Sequence, residues 1–385
     1  MRTTKVLVVD DSAFMRKYIS DLINADPALT VVGTAKNGED GVEQVKRIQP
    51  DVVTMDIEMP VMNGLQALEK IMSECPVPVI MLSSLTDQGT KETIMALEYG
   101  AFDFIKKPSG SISFDIHKVG GLLREKLKAA AVSRTVRTKP KAGPPPGLPP
   151  VQAQSAPITA AKPREKMRPR AFEPQAEEIA HAPSAPFVSR NKSAFQSLVA
   201  VGTSTGGPRA LKELLSVLPE HFPAPIVIVQ HMPANFTKSL AARLDSLCRI
   251  RVVEAANGQT LEAGTAYIAP GGFHMTVAKD RNGAYQALLN RSELRGGHRP
   301  SVDTLFESLL PWKELRRHIV LLTGMGSDGA KSMKALYDDG VKSTFAESEE
   351  TCVVYGMPRS AIELNCVSYT LPLQDIAPQL LHVVK

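Results

Sequence analysis

The sequence predicts an α/β protein with two doubly wound parallel sheets. Short apolar runs alternate with amphipathic stretches of helical spacing, both in residues 1–122 and in residues 191–385. A proline-rich, basic stretch over residues 123–190 interrupts this alternation. The 385-residue chain is therefore predicted to form two folded domains joined by a linker.

In the first domain, five short apolar runs have the length of buried strands, and amphipathic stretches separate them. The predicted strands lie in KVLVVDD, TVVGTAKNG (a strand and a turn), PDVVTMDIEMP, PVPVIMLSS and AFDFIKKPSG. The predicted helices are SAFMRKYISDLINA, GEDGVEQVKRIQ, NGLQALEKIMSE and TKETIMALEYG. Units of this size in strict alternation indicate a parallel sheet that is covered by helices on both faces.

The last domain repeats this pattern on a larger scale. Its strand-like runs are FQSLVAVG, APIVIVQHM, TAYIAPGG and RRHIVLLTGMG. Its helix-like stretches are GGPRALKELLSVL, NFTKSLAARLDSL and SVDTLFESLL. Residues 273–292 alternate differently and contain Asn282–Gly283, which predicts an inserted β-hairpin.

The middle segment has the composition of a flexible linker. It contains 12 of the 29 prolines, between Pro140 and Pro186, and few large apolar residues. Its net charge is +8, against −5 for residues 1–122 and +2 for residues 191–385. A nucleic-acid-binding arm is the alternative, but the basic residues are dispersed and aromatic residues are nearly absent, so we expect no nucleic-acid partner.

The composition also argues against membrane and secreted classes. No long continuous apolar stretch predicts a membrane span, and the apolar run at the start of the chain ends in two aspartates rather than a cleavage site. The four cysteines lack metal-binding spacing and indicate free thiols in a reducing compartment. We therefore expect a cytoplasmic protein without membrane insertion.

Polar side chains follow four strands of the predicted first sheet. Carboxyl ends of parallel strands meet at one edge, where α/β proteins bind ligands. Carboxylates that converge there repel one another unless a cation such as Mg²⁺ lies between them, and a nearby lysine and hydroxyl suit a phosphoryl group. The residues at this edge are Asp10, Asp11, Asp56, Ser83, Ser84 and Lys107.

The motifs VDDS, MDIEMPVMNG, LSS and KKP occur in that order, and residues 4–122 closely resemble the response-regulator receiver family. The resemblance implies a flavodoxin-like fold and phosphorylation of Asp56 by a histidine kinase. It implies that Asp10 and Asp11, with Asp56, hold Mg²⁺, and that Lys107 contacts the phosphate. Ser83 would be the switch hydroxyl, although the adjacent Ser84 is an alternative.

The segment VGTSTGGPRA places Ser204 in a GxSxG pattern between a predicted strand and a helix. No lysine follows Gly206 or Gly207 as a phosphate-binding P-loop requires, and the glycine spacing does not fit a dinucleotide site. Small residues on both sides allow the sharp turn that exposes a nucleophilic serine. Pro208 suits the first turn of the helix that follows.

A nucleophilic serine needs a base and an orienting carboxylate. His231 follows a strand that ends at the same predicted edge as Ser204, with His274 and His298 as alternatives on nearby loops. Asp328 follows another apolar strand within a glycine-rich loop, whereas Asp303 fits better near a helix start. The glycines around Met325 would leave backbone N–H groups free for an oxyanion hole.

The order Ser204, His231, Asp328 differs from that of the α/β-hydrolases, in which the acid precedes the histidine. It resembles the protein-glutamate methylesterases of bacterial chemotaxis, as do GTSTGGP, VQHMP, APGG, GGHRPSVDTLF and LTGMGSDGA. This resemblance implies a Rossmann-like domain that hydrolyses γ-glutamyl methyl esters on chemoreceptors and also deamidates receptor glutamines. The N–H of Met325, with Thr205 as a second candidate, would bind the oxyanion, and the esterase would need no cofactor.

The resemblance further implies that the unphosphorylated first domain covers the esterase and that phosphorylation releases it. Two other classes remain as alternatives: an adaptor with an inactive esterase half, and a transcription factor. All three triad candidates are present, which argues against the adaptor. The second domain is much longer than a helix-turn-helix module and lacks a basic recognition helix, which argues against the transcription factor.

Overall fold

The computed structural model describes residues 2–84, 86–107, 116–133 and 195–384, which belong to one compact unit. In the first domain, five parallel strands form a sheet in the order β2-β1-β3-β4-β5. The elements, in chain order, are β1 (Thr4–Val9), α1 (Ala13–Asn24), β2 (Leu29–Ala35), α2 (Gly38–Ile48), β3 (Val52–Asp56), α3 (Gly64–Glu74), β4 (Val79–Ser83), α4 (Asp87–Glu98), β5 (Asp103–Lys106) and α5 (Ile116–Val132).

The second domain has a seven-stranded parallel sheet in the order β15-β14-β13-β6-β7-β10-β8 and a small antiparallel sheet, β11-β12-β9. Its elements are β6 (Ser197–Thr203), α6 (Gly207–Ser216), β7 (Ile226–Gln230), α7 (Phe236–Asp245), β8 (Arg251–Glu254), β9 (Gln259–Thr260), β10 (Thr265–Ile268), β11 (His274–Lys279), β12 (Tyr285–Asn290), α8 (Val302–Glu307), β13 (Arg316–Leu321), α9 (Ala330–Asp338), β14 (Ser343–Glu347), α10 (Met357–Glu363), β15 (Tyr369–Leu371) and α11 (Leu373–Val383).

Helices cover the large sheet on both faces, as its continuous apolar strands predict. Along β6, Val199 and Val201 face a core that includes α6, α7 and α11. Leu198 and Ala200 face the opposite core, which includes α8, α9 and the small sheet. Both faces of the strand are buried, so the fold class predicted from the sequence is confirmed for both domains.

The strand order places the candidate residues together. β6 is paired with β7 on one side and with β13 on the other, so the chain reverses its direction of winding there. Loops that follow these strands all leave from the carboxyl edge, where a crevice opens at such a switch point. Ser204 and His231 immediately follow β6 and β7, and Asp328 lies in the loop after β13.

Some elements were not predicted from the sequence. The edge strands β8 and β15 have four and three residues, which is too short for a clear apolar pattern. The predicted hairpin is β11–β12, but its loop spans residues 280–284, and Asp280 Oδ1 accepts hydrogen bonds from the N–H groups of Asn282 and Ala284. The turn is therefore longer than the Asn–Gly pair predicts.

The first domain continues beyond the predicted boundary at residue 122. Helix α5 runs to Val132, and its residues Leu123, Leu127 and Ala130 are buried against the first sheet. The boundary therefore falls inside a helix whose apolar side completes the core. Residues 134–194, which include most of the predicted linker, lie outside the described residues. Among the described residues, no helix combines the length and apolar character needed to cross a membrane.

The packing of α6 supports the position of the Ser204 turn, and Leu214 on the buried side of this helix is fully buried. We predict that Leu214→Ala lowers the free energy of unfolding of the second domain by about 2–5 kcal/mol, because it removes buried apolar contacts and leaves a cavity. Urea unfolding followed by circular dichroism measures this. Leu381→Ala on the exposed side of α11 is the control and should cost less than about 1 kcal/mol; equal losses would contradict the packing described for α6.

Candidate active site and phosphorylation site

Ser204 lies in a tight turn between β6 and α6. Its N–H donates to Thr323 O at 3.0 Å, and its carbonyl oxygen accepts hydrogen bonds from Gly207 N at 2.8 Å and Gln230 Nε2 at 2.9 Å. A β-carbon at Gly207 would lie 1.9 Å from Gln230 Oε1, so only glycine allows this close approach. The turn is thus fixed by contacts of the Ser204 backbone, and among the described residues the Ser204 hydroxyl has no hydrogen-bond partner.

His231 and Asp328 are joined by a hydrogen bond. Nε2 of His231 lies 2.8 Å from Asp328 Oδ2, and both side chains are more than 90% buried. An ionised carboxylate only accepts, so Nε2 carries the proton. The other ring nitrogen, Nδ1, is buried and has no hydrogen-bond partner among the described residues. The imidazole therefore has one nitrogen held by the acid and one available to a substrate or nucleophile.

The carboxylate of Asp328 is held at the start of α8 by three further donors. Oδ1 accepts from Ser301 Oγ and Asp303 N, both at 3.0 Å, and Oδ2 accepts from Val302 N at 2.7 Å. Burial opposes ionisation of Asp328. The hydrogen bond to His231, the charge of His231 and the backbone donors together outweigh burial and lower the pKa of Asp328. Asp328 thus remains an anion at neutral pH.

Ser204 and His231 follow paired residues of adjacent strands. Thr203 pairs with Gln230, and His231 N donates to Thr203 O at 3.1 Å. Within the described ranges, no hydrogen bond joins the Ser204 hydroxyl to the imidazole. Catalytic contacts of this kind often tighten only when substrate binds.

The structure also places the alternative residues. His274 is buried in β11, where Nε2 contacts Glu293 O at 2.9 Å. Asp303 lies at the start of α8 and accepts hydrogen bonds from Ser332. His298, by contrast, lies at the site, with its ring stacked on that of His231. Ser204, His231, Asp328 and His298 are therefore brought together.

The N–H groups of Met325 and Thr205 are the predicted oxyanion donors. Met325 lies in the loop after β13, and the N–H groups of Met325 and Thr205 have no acceptor in the part of the chain that the structure describes. The Thr205 hydroxyl is already used, as a donor at 2.5 Å to Asp103 of the first domain. Free N–H groups beside a nucleophile have the chemistry of an oxyanion hole.

At the edge of the first sheet, the oxygen ligands of Asp10, Asp11 and Asp56 lie within 4.8 Å of one another. Lys107 Nζ lies 3.0 Å from Asp10 Oδ2 and 2.8 Å from Asp56 Oδ2. Burial raises the pKa of Asp56 to about 6, with a further contribution from the charge of Asp10, although Lys107 opposes the shift. Burial opposes the charge on Lys107, but the two aspartates outweigh it and raise the pKa of that ammonium group.

Ser83 and Ser84 have different surroundings. Ser83 is fully buried, and its hydroxyl lies 2.6 Å from Thr93 Oγ1 of α4. The Ser84 hydroxyl instead donates to Glu58 at 3.2 Å and contacts Thr86. Only Ser83 therefore has a direct side-chain bond into the body of α4.

The two domains contact each other through α4 and β5 of the first and α6 and α7 of the second. Glu98, with 7% of its side chain exposed, accepts two hydrogen bonds from Arg243 at 2.9 and 2.8 Å, and Lys212 lies 3.9 Å away. Phe104 stacks on Phe236 with ring centroids 4.6 Å apart. These residues were not identified from the sequence, because nothing in a single chain shows which surface residues meet across domains.

A second part of this interface reaches the serine turn. Asp103 of β5 accepts from the hydroxyl of Thr205, the residue after Ser204, and forms an ion pair with Lys126 of α5. Immediately after α5, the Ser133 hydroxyl donates to Val353 O at 3.3 Å. The first domain thus touches the chain next to the candidate nucleophile.

Comparison with known proteins agrees with both halves of this description. Residues 199–380 match the CheB methylesterase family and residues 6–114 match the response regulator receiver domain. A protein-glutamate methylesterase/protein-glutamine glutaminase of Geobacillus kaustophilus is 46% identical over 100% of this chain and 99% of its own length. The protein of that name in Bacillus subtilis is 41% identical over 99% and 98%.

This chain also matches the crystal structure of the Thermotoga maritima CheB methylesterase catalytic domain, with 44% sequence identity. The match covers 49% of this chain and 98% of that domain, with a TM-score of 0.47. The two resemblances inferred from the sequence motifs are confirmed by the family matches and by relatives that align from end to end. The chain belongs to the protein-glutamate methylesterase/protein-glutamine glutaminase family, with a receiver domain preceding the catalytic domain.

Proposed function

We propose that this chain is a phosphorylation-activated serine hydrolase of receptor adaptation in chemotaxis. It removes methyl groups from glutamate γ-methyl esters on chemoreceptors, releases methanol, and deamidates specific receptor glutamines. The observation that carries the proposal is the buried His231–Asp328 hydrogen bond at the sheet edge from which Ser204 emerges. The names of the full-length relatives supply the substrate class.

In the proposed reaction, Ser204 Oγ attacks the ester carbonyl carbon while His231 Nδ1 accepts the serine proton. Asp328 stabilises the imidazolium that forms, through the Nε2 proton that it already accepts. The N–H groups of Met325 and Thr205 stabilise the oxyanion of the tetrahedral intermediate. His231 then donates the proton to the departing methoxide, or to the amide nitrogen of a glutamine, which leaves as ammonia. Water hydrolyses the acyl-enzyme by the same steps.

In the receiver domain, Asp56 is the proposed acceptor of a phosphoryl group from a histidine kinase. Asp10, Asp11 and Asp56 provide the oxygen ligands that suit Mg²⁺, and their oxygens are close enough to share one ion. When bound, Mg²⁺ supplies positive charge to the transferring phosphoryl group. Lys107, already between Asp10 and Asp56, would turn to the phosphate.

The interface explains how the receiver inhibits the esterase in this proposal. The Asp103–Thr205 hydrogen bond holds the residue next to Ser204, and the Glu98–Arg243 pair holds α4 against α7. While these contacts persist, a receptor helix cannot approach the serine turn from the side that the receiver occupies. To convert a 1:99 ratio of open to closed forms into 99:1, phosphorylation would have to contribute about 5.5 kcal/mol.

A continuous set of contacts connects the phosphorylation site to this interface. Ser83 bonds to Thr93 in α4, and the same helix carries Glu98 and also Thr90, which lies 3.1 Å from Ser239 of α7. If the Ser83 hydroxyl turns to a phosphate on Asp56, it leaves Thr93, and α4 loses a buried side-chain bond. We infer that this shift weakens the contacts of α4 with the catalytic domain.

The proposed organisation is a receiver domain that extends to residue 133, a linker and a catalytic domain from residue 195. We further propose that the protein acts in the cytoplasm, where its two partners are the chemoreceptor substrate and the kinase that phosphorylates Asp56.

Substitution of Ser204 tests the esterase most simply. We predict that Ser204→Ala lowers methanol release from methylated chemoreceptor membranes, with a small phosphodonor present, by about 10⁴-fold or more, because the acyl-enzyme cannot form. Ser216→Ala, an exposed serine at the end of α6, is the matched control and should retain activity. Methanol release that persists in Ser204→Ala would exclude Ser204 as the nucleophile.

The Glu98–Arg243 pair tests the inhibitory interface. Arg243→Glu places two carboxylates together, so we predict about tenfold higher activity without phosphodonor. This corresponds to a loss of about 1.4 kcal/mol in the free energy that favours the closed form. The double substitution Glu98→Arg with Arg243→Glu restores opposite charges and should return activity toward the low basal value. Lys313→Glu, at an exposed ion pair away from the interface, serves as the control. An unchanged basal rate in Arg243→Glu would argue against inhibition by this surface.

The two adjacent serines test the switch. We predict that Ser83→Ala still accepts phosphate on Asp56 but shows little stimulation by phosphodonor, whereas Ser84→Ala retains most of the stimulation. The reason is that only Ser83 bonds to α4. Methanol release with and without phosphodonor, alongside ³²P incorporation, separates coupling from phosphorylation; Asp56→Asn should lack both. Normal stimulation of Ser83→Ala with loss in Ser84→Ala would assign the switch to Ser84.

A further inference from the structure

His298 is in direct contact with the proposed general base. Its imidazole ring and that of His231 are nearly parallel, with an interplanar angle of 5° and centroids 3.8 Å apart. Face-to-face contact at this distance fixes one ring against the other over its whole area. No step of the proposed reaction yet uses His298, although it belongs to the GGHRPSVDTLF motif.

A tight turn presents His298 to the site. Arg295 and His298 exchange two backbone hydrogen bonds, at 3.1 and 3.0 Å, around Gly296 and Gly297. These glycines have φ values of 58° and 85°, a left-handed pair that a two-residue turn of this kind requires. The backbone of this turn therefore fixes the position of His298.

Contacts on both sides anchor this turn. The Arg295 guanidinium forms a two-pronged ion pair with Glu307 of α8. Downstream, Ser301 donates to Asp328 at 3.0 Å. The segment that carries His298 is thus connected to the same carboxylate that holds His231, so the stack and the His231–Asp328 bond belong to one rigid assembly.

The charge state of His298 is compatible with a positive charge on the neighbouring His231 ring. Burial lowers the pKa of His298 to about 4, with contributions from His231 and from Lys126 of the receiver, and Asp328 opposes the shift. His298 is therefore neutral at pH 7. When His231 becomes an imidazolium during the reaction, it faces a neutral π-surface, which attracts a cation, and not a second positive charge.

The stack supplies a constraint that the Asp328 bond alone does not. A hydrogen bond at Nε2 fixes one atom of the His231 ring, but leaves the ring free to rotate about the direction of that bond. Contact across the ring face removes this freedom, and it sets the direction in which Nδ1 points. Such orientation has a large effect on the reaction rate, because misplacement of a reacting group by about 1 Å can lower the rate by about 10²-fold.

We propose that His298 is a positioning residue for the esterase reaction: its ring stacks on His231, fixes the plane of the general base and supports the imidazolium. This inference rests on the proposed function, since it assigns His298 a role in that reaction. It attributes the effect to the aromatic face of His298 and assigns no role to its ring nitrogens.

Three substitutions in the full-length protein, assayed with phosphodonor, test the proposal. His298→Ala removes the stack and should lower kcat for methanol release by about 10- to 100-fold with little change in KM. His298→Phe keeps a neutral aromatic face and should stay within about threefold of the unsubstituted protein. Thermal unfolding of each variant identifies any loss of folded protein, and the His298→Phe variant keeps the test decisive if His298→Ala unfolds.

A pH profile adds a readout that a structural role would not change. His298→Arg places a fixed positive charge against His231 and makes its imidazolium less stable. Because activity requires the neutral base, the acid limb of kcat/KM should move to lower pH by about one unit, while kcat falls. The titratable groups that act electrostatically on position 298 include His231, Asp328 and Lys126, and they are the same in each variant.

Labelling of Ser204 by a fluorophosphonate separates this proposal from the proposed function. The unsubstituted protein should be labelled at Ser204, and His298→Ala should be labelled at least tenfold more slowly. Labelling without methanol release from chemoreceptor membranes would refute the substrate assignment and leave the role of His298 testable. The role of His298 is refuted if His298→Ala matches the unsubstituted protein, or if His298→Phe is as impaired as His298→Ala, since a ring nitrogen would then be required.

Discussion

The catalytic half of this protein depends on one buried carboxylate. Asp328 accepts hydrogen bonds from the Ser301 hydroxyl and from two backbone N–H groups at the start of α8, and these fix it before it contacts His231. Because its oxygens are already satisfied by fixed donors, the anion is stable despite its burial. The geometry of His231 follows from it, and the stacked His298 ring is attached to the same segment of chain.

Both halves of the chain use the same property of parallel sheets. Every strand delivers the residue that follows it to one edge, so side chains far apart in sequence meet there. In the receiver this edge collects three carboxylates and Lys107. In the catalytic domain it collects Ser204 and His231 from neighbouring strands and Asp328 from the strand on the other side. Regulation requires the receiver edge to communicate with the catalytic domain, and α4 contacts both, through Ser83 at that edge and through the Glu98–Arg243 pair with α7.

The sequence predicts much of this site because strand ends are visible as apolar runs followed by polar residues. Asp10, Asp56, Ser204 and His231 all occupy that position. It does not distinguish His274 from His298, since both lie in glycine-rich segments and only the register of β11 and the turn at Gly296–Gly297 place them differently. Nor does it show that the Glu98 carboxylate, 145 positions before Arg243, is its partner, since the docking of two surfaces depends on their three-dimensional shapes. The domain boundary was predicted inside α5 because basic residues are interspersed with the apolar residues of this helix that pack in the core.

The tautomer of His231 tests the central claim most directly. Histidine labelled with ¹⁵N in the full-length protein gives a separate NMR pattern for each ring nitrogen, and loss of signals in a His231→Gln variant assigns the residue. The account predicts that, with the ring neutral, Nε2 carries the proton that Asp328 accepts, and Nδ1 is unprotonated and able to receive the proton of Ser204. A proton on Nδ1 with Nε2 bare would contradict it, because the nitrogen beside Asp328 would then be the basic one and Ser204 would have no base.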